Sequence, residues 1–225
     1  MKKIDELFFE LLQVSVGQTD CLSRGPEPEE WLQLYEMSKQ QNVEGVCYHG
    51  VTKLFEFGLR APQEVSLDWM AEAETIREAN ETAVSPSILS LCYSEELQDL
   101  RQRSDYEVKM LSDVIIQRLY KLYLHRELTM RDVMDYYYVL TANRGMNEPL
   151  KGGGLLASLS VRRFGRGVMW LLQHTLRLER QFMPFEPLEK EGRFLLSDVM
   201  REAPKVERVL HVMITYPLGI ADLRA

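Results

Sequence analysis

A chain of 225 residues with 45% hydrophobic and 27% charged content is long enough to bury a sizeable core, as one large domain or two small ones. The 27 basic residues are outnumbered by 34 acidic ones, a net charge of -7, so bulk electrostatics do not recommend a nucleic-acid or anionic-membrane partner, and neither is expected outside a local basic patch. Three widely separated cysteines, Cys21, Cys47 and Cys92, fit reduced thiols in a cytoplasm rather than a disulfide framework.

In MKKIDELFFELLQ, Asp5, Glu6 and Glu10 interrupt what a secretion signal would need as an apolar core, and Ile4, Leu7, Phe8, Leu11, Leu12 and Val14 keep helical spacing. This segment reads as an amphipathic helix. No run approaches the roughly 18 apolar residues of a membrane span.

After the break QTDCLSRGPEPEE, Pro28 followed by Glu29 and Glu30 is a helix opening, because proline tolerates the first turn and acids suit the positive end of the dipole. Trp31, Leu34, Tyr35 and Met37 carry that helix to about Gln41. A further helix is expected over Val46 to Phe57, stopped by Gly58. Ser66 is read as the cap of the next, with Leu67, Met70, Ala73 and Ile76 on one face.

The texture changes near residue 84, and the stretch 84–111 is read as a joint between an N-terminal helical part, 1–83, and a C-terminal one, 112–225. Beyond it Ser112 is expected to cap a helix carrying Ile115, Ile116, Leu119, Leu122 and Tyr123. Thr129-x-x-Asp132 is a capping-box pattern that would satisfy the first free amides of a following helix. In that helix Met130, Val133, Met134, Tyr137 and Leu140 form one apolar stripe at 100° per residue. Arg131 and Asp135 sit beside the stripe one turn apart, so they are expected to form a structural clamp, with His125 as a core or helix-end residue. VRRFGRGVMWLLQHTLRL, EGRFLLSDVMRE and VERVLHVMITYP give three further helices, the last ended by Pro217. Strand patterns are scarce, so the expected class is mainly α, two helical bundle-like parts with little or no sheet. The alternative is α+β with a small residual sheet near 105–111.

His49, His174 and His211 are isolated in sequence and stand in no metal-ligand spacing. Lys151-Gly152-Gly153-Gly154 lacks the order of a phosphate loop, since the lysine precedes the glycines, and reads as a connector. Arg162, Arg163 and Arg166 are the candidates for a phosphate contact, although an exposed basic face is the preferred reading.

The blocks FFELLQVSVGQ, EEWLQLYEMSKQQNVEGVCYHGVTKL, LDWMAEAETIREAN, LYKLYLHRELTMRDVMDYYYVL, RFGRGVMWLLQHTLRL and GRFLLSDVM, taken in order, resemble the helical regions of an uncharacterised bacterial nucleotidyltransferase family of the polymerase-beta-like superfamily. The most distinctive piece is His125 followed by Leu128, Arg131 and Asp135. The resemblance implies a catalytic palm between two helical parts, in which a Gly-Ser pair holds nucleotide phosphates and D-x-D plus a third carboxylate bind two divalent metals. This chain contains no Gly-Ser and no D-x-D. Asp105 and Glu107 are the nearest substitute, alternating carboxylates that a strand would set on one face. Only 24 residues run from Val84 to Glu107, whereas one strand-helix-strand unit needs about 30 or more.

The expectation is therefore a nucleotidyltransferase-like protein without the transferase site or a cofactor, engaged in helical packing or in binding itself or another protein through exposed apolar helix faces. The alternative is a Mg2+-dependent transferase or nucleotide-binding protein with a reduced site at Asp105 and Glu107, helped by Arg101 or the Arg162 to Arg166 cluster.

Overall fold

The computed structural model describes residues 3–81, 105–141 and 159–216, and its regular structure there is entirely helical. The chain divides into two compact units, Met1–Leu97 with Thr175–Arg177 and Gln98–His174 with Leu178–Ala225.

In the first unit, α1 (Lys3–Ser15) is buried around almost its whole circumference, the expected stripe being widened by Phe9 and by the polar Asp5, Gln13 and Ser15. Leu7, Phe8, Leu11, Leu12 and Val14 are each removed from water, at about 1.5–3 kcal/mol per side chain. It packs on α2 (Pro28–Gln40) and α3 (Glu44–Glu56), and α3 packs on α4 (Gln63–Glu81). The α1–α3 crossing is close because Gly50 is bare: a Cβ there would come within 2.9 Å of the Leu11 carbonyl oxygen. Lys53 of α3 donates to the carbonyls of Val14 (3.2 Å) and Ser15 (3.0 Å), placing a cation at the negative end of α1.

Helix α2 opens at Pro28, as its residues predict. The Glu27 amide donates to Glu30 (2.8 Å), whose carboxylate also takes Arg24 Nη1 at 2.6 Å. The Arg24 hydrogen bond, followed by the Glu27 amide, pulls the Glu30 carboxyl down to about 2.

Helix α4 departs from expectation. It starts at Gln63, just after Pro62, so Ser66 lies inside it and its amide bonds the Pro62 carbonyl at 3.0 Å. Leu67 and Met70 are exposed; Trp69 is the buried residue. The indole decides the rotation of the helix, since its Nε1 donates to the Glu44 carbonyl at 3.0 Å and its ring packs against Tyr35 at 5.4 Å.

The second unit holds α5 (Asp105–His125), α6 (Met130–Thr141), α7 (Leu159–Leu176) as far as His174, a 3-10 turn at Arg180–Phe182, α8 (Glu189–Val199) and α9 (Lys205–Thr215). Residues 105–111 are helical, which corrects the alternative of a residual sheet there. Ser112 is accordingly not a cap: it is buried within α5 and lies 3.0 Å from Tyr136 Oη of α6. Ile115, Ile116, Leu119 and Tyr123 are buried as expected, and Leu122 is half-buried.

On α6 the whole predicted stripe is buried, widened by Tyr136 and Val139. At its start Asp132 accepts both the Thr129 amide (3.1 Å) and the Thr129 hydroxyl (2.8 Å). The side chain at N3 thus reaches back as a capping box requires, but the threonine oxygen donates to it rather than to the helix amides.

Candidate functional site

Asp105 and Glu107 occupy the first turn of a helix, where residues two apart stand about 200° apart around the axis. The local structure is therefore a helix and not the strand on which alternate carboxylates would share a face. No group of three or more His, Cys, Asp or Glu that could hold a metal ion occurs among the described residues. Arg101, Lys151 and the triple glycine lie outside the described residues.

The three candidate arginines on α7 do not converge. Arg162 is exposed, Arg163 Nε donates to Glu191 Oε2 at 3.1 Å, and Arg166 Nε donates to the Glu186 carbonyl at 3.1 Å. Arg131 and Asp135 sit half-buried one turn apart on α6, and His125 is an exposed residue in the last turn of α5, a helix-end histidine. His174 stacks on Trp170 at 4.6 Å. His49 is half-buried, and burial, reinforced by Lys53, lowers its pKa.

What the fold assembles instead is a buried ionic network that sequence spacing did not single out. Two glycines create it. Gly167 on α7 faces Glu191 and Leu195 of α8, where a Cβ would come within 2.8 Å of both, and Gly192 on α8 faces the side chain of Trp170 on α7. This reciprocal bareness draws α7 and α8 together and carries Glu191, in the first turn of α8, fully out of water.

The Glu191 carboxylate is saturated with donors. His211 Nε2 on α9 lies 2.8 Å from Oε1, Tyr216 Oη donates to the same oxygen, and Arg163 holds Oε2. An ionised carboxylate only accepts, so the His211 proton that meets it resides on Nε2. Burial alone pushes the Glu191 carboxyl up, but hydrogen bonds from His211 and Tyr216, with Arg163, outweigh it and hold the group below the ordinary carboxylate range. Burial and the same carboxylate raise the Tyr216 phenol, which stays protonated as a donor.

A second pair lies one turn away. Arg208 of α9 is buried and its Nε bonds Asp198 Oδ2 at 3.1 Å, with Oδ1 at 2.9 Å. Its Nη2 donates to the Tyr123 carbonyl and, at 3.4 Å, to that of Leu124, satisfying carbonyls left free at the end of α5, while the guanidinium sits 5.4 Å from the Tyr123 ring centroid. Tyr123 and Tyr216 meet edge to face at 5.7 Å, and His211 stacks on Phe194 at 3.7 Å.

The consequence appears on the other side of α9. With Arg208, His211 and Val212 turned inward, Val206 (73% exposed), Val209 (52%), Leu210 (53%), Met213 (53%) and Ile214 (78%) face solvent. The spacing i, i+3, i+4, i+7, i+8 is that of a core-facing stripe, yet here it points outward. The helix is turned so that Arg208 and His211 face in together with Val212 while these five apolar residues face out. These five residues and the network behind them are the candidate functional site.

Compared with protein-family models, with curated proteins and with solved structures, the chain matches none.

A carboxylate so fully engaged is an anchor rather than an acid that exchanges protons. Because its folded pKa lies below the ordinary 4.5, the stability it contributes is complete above about pH 4.5 and is lost as pH falls through the folded value. Glu191→Gln cannot titrate. The stability gap between wild type and this variant in urea is expected to shrink as pH falls from about 4.5 toward 3; a gap that stays constant over that range would contradict the charged anchor.

Proposed function

We propose that this chain is an interaction protein built of helices, and that it performs no nucleotidyl transfer. The observation that carries the reading is the outward apolar stripe of α9, held in that orientation by ionic contacts on its inner side. A helix of this pattern left to the hydrophobic effect alone would turn its five apolar residues inward; here specific hydrogen bonds hold them out, which makes sense when a partner covers them. The resemblance to the helical parts of polymerase-beta-like nucleotidyltransferases then concerns packing and descent, with the chemistry of the palm left out and a cytoplasmic setting.

The test is direct. Purified protein incubated with Mg2+ or Mn2+, each nucleoside triphosphate and small acceptors is expected to transfer no nucleotide, and calorimetric titration with millimolar nucleotide and metal to give no heat. Robust transfer abolished by Asp105→Ala overturns the proposal.

A further inference from the structure

We infer that the partner of the α9 stripe is a second copy of this chain, paired face to face about a two-fold axis. The inference rests on the reading of the chain as an interaction protein and adds the identity of what it binds.

Area is the first argument. Val206, Val209, Leu210, Met213 and Ile214 are each at half or more of full exposure, on the order of 500 Å² together, the size at which a surface patch is commonly functional. A specific interface needs about 1,000 Å² counted over both partners, so the partner must bring an apolar face of similar size. A second α9 does so by symmetry, because a two-fold contact is made of one patch meeting itself.

Shape is the second. The stripe runs the length of an 11-residue helix, about 16 Å, in the alternating three- and four-residue steps by which two helices interdigitate. In its lower part Met213 supplies an adaptable side chain of the kind enriched where surfaces pair. The charged residues Lys205 and Glu207 are exposed near its beginning and leave the middle of the stripe free of charge. The inner face of α9 is fixed by Glu191, Asp198 and the α5 carbonyls, so the stripe is presented ready-made and little conformational freedom is lost on pairing.

Sedimentation of the full chain at micromolar to hundred-micromolar concentration tests this. The expected mass is twice the 26.2 kDa of one chain, and Leu210→Lys with Ile214→Lys is expected to weaken association at least ~100-fold, with helical content unchanged and the urea midpoint unchanged at concentrations where both proteins are monomeric. Leu210→Met, which keeps the apolar surface, is expected to retain the pair, and Leu210→Cys to form a disulfide-linked dimer on oxidation of the Cys21→Ser background. A mass of 26.2 kDa across the whole range overturns the inference, whether another protein or the chain's own segments then cover the stripe. So does a dimer that ignores the double lysine substitution. Neither result bears on nucleotide transfer, which tests the proposed function separately.

Discussion

Asp198→Ala is expected to cost about 3–5 kcal/mol of folding stability, the range for removing one partner of a buried ion pair. Arg208 keeps its charge at any accessible pH, so without Asp198 a guanidinium buried beside Tyr123 has only carbonyl oxygens to balance it. The cost is that of an uncompensated charge rather than the net worth of the pair. The control follows: Asp198→Leu combined with Arg208→Met replaces both charges by apolar groups and is expected to recover most of the loss, within about 1–2 kcal/mol of wild type. Urea unfolding of Asp198→Leu, of Arg208→Met and of the double variant measures the cycle. Losses that simply add, with no recovery in the double variant, would show that Asp198 and Arg208 do not act as a pair.

Gly192→Val is expected to cost about 3 kcal/mol, at the upper end for overpacking. A Cβ at 192 would come within 2.7 Å of the Trp170 Cβ, an atom that moves only if its helix moves, and would also collide with the indole itself. Helix propensity alone would favour valine over glycine in a helix interior by roughly 0.3 kcal/mol, so the sign of the result separates packing from propensity. Because α7 and α8 must separate to admit the side chain, the distance from Arg163 to Glu191 should open as well, and the pH dependence carried by Glu191 should weaken in the same variant. An exposed helix glycine gives the opposite, stabilising result. Gly192→Val stabilised in urea would mean the two helices do not meet there.

The recurrent lesson is the difference between a helix and its rotation. Helix α6 was fully readable, because Met130, Val133, Met134, Tyr137 and Leu140 are both periodic and buried. The same arithmetic applied to α4 chose Leu67 and Met70, and they are exposed while Trp69 is inside. Periodicity states that a stripe exists but not which way it faces; a hydrogen bond from the indole to Glu44, 25 positions away, turned α4. On α9 the apolar stripe faces out while Arg208 and His211 face in.

The ends of helices divide the same way. Pro28 and the acids after it marked the opening of α2, and Gly58 marked a stop, because those residues act on their own backbone. Ser112 has the residue type of a cap, but inside α5 it meets Tyr136 instead.

Local chemistry therefore determined from the sequence alone that this chain is helical, where most helices run and which side chains are apolar enough to be buried, since turns, caps and the 3.6-residue period involve neighbours only. Tertiary structure decided the site. Glu191, Arg163, His211 and Tyr216, spread over 54 positions, meet because two bare glycines let α7 and α8 touch, and the desolvation that makes their hydrogen bonds strong exists only once those helices have closed around them.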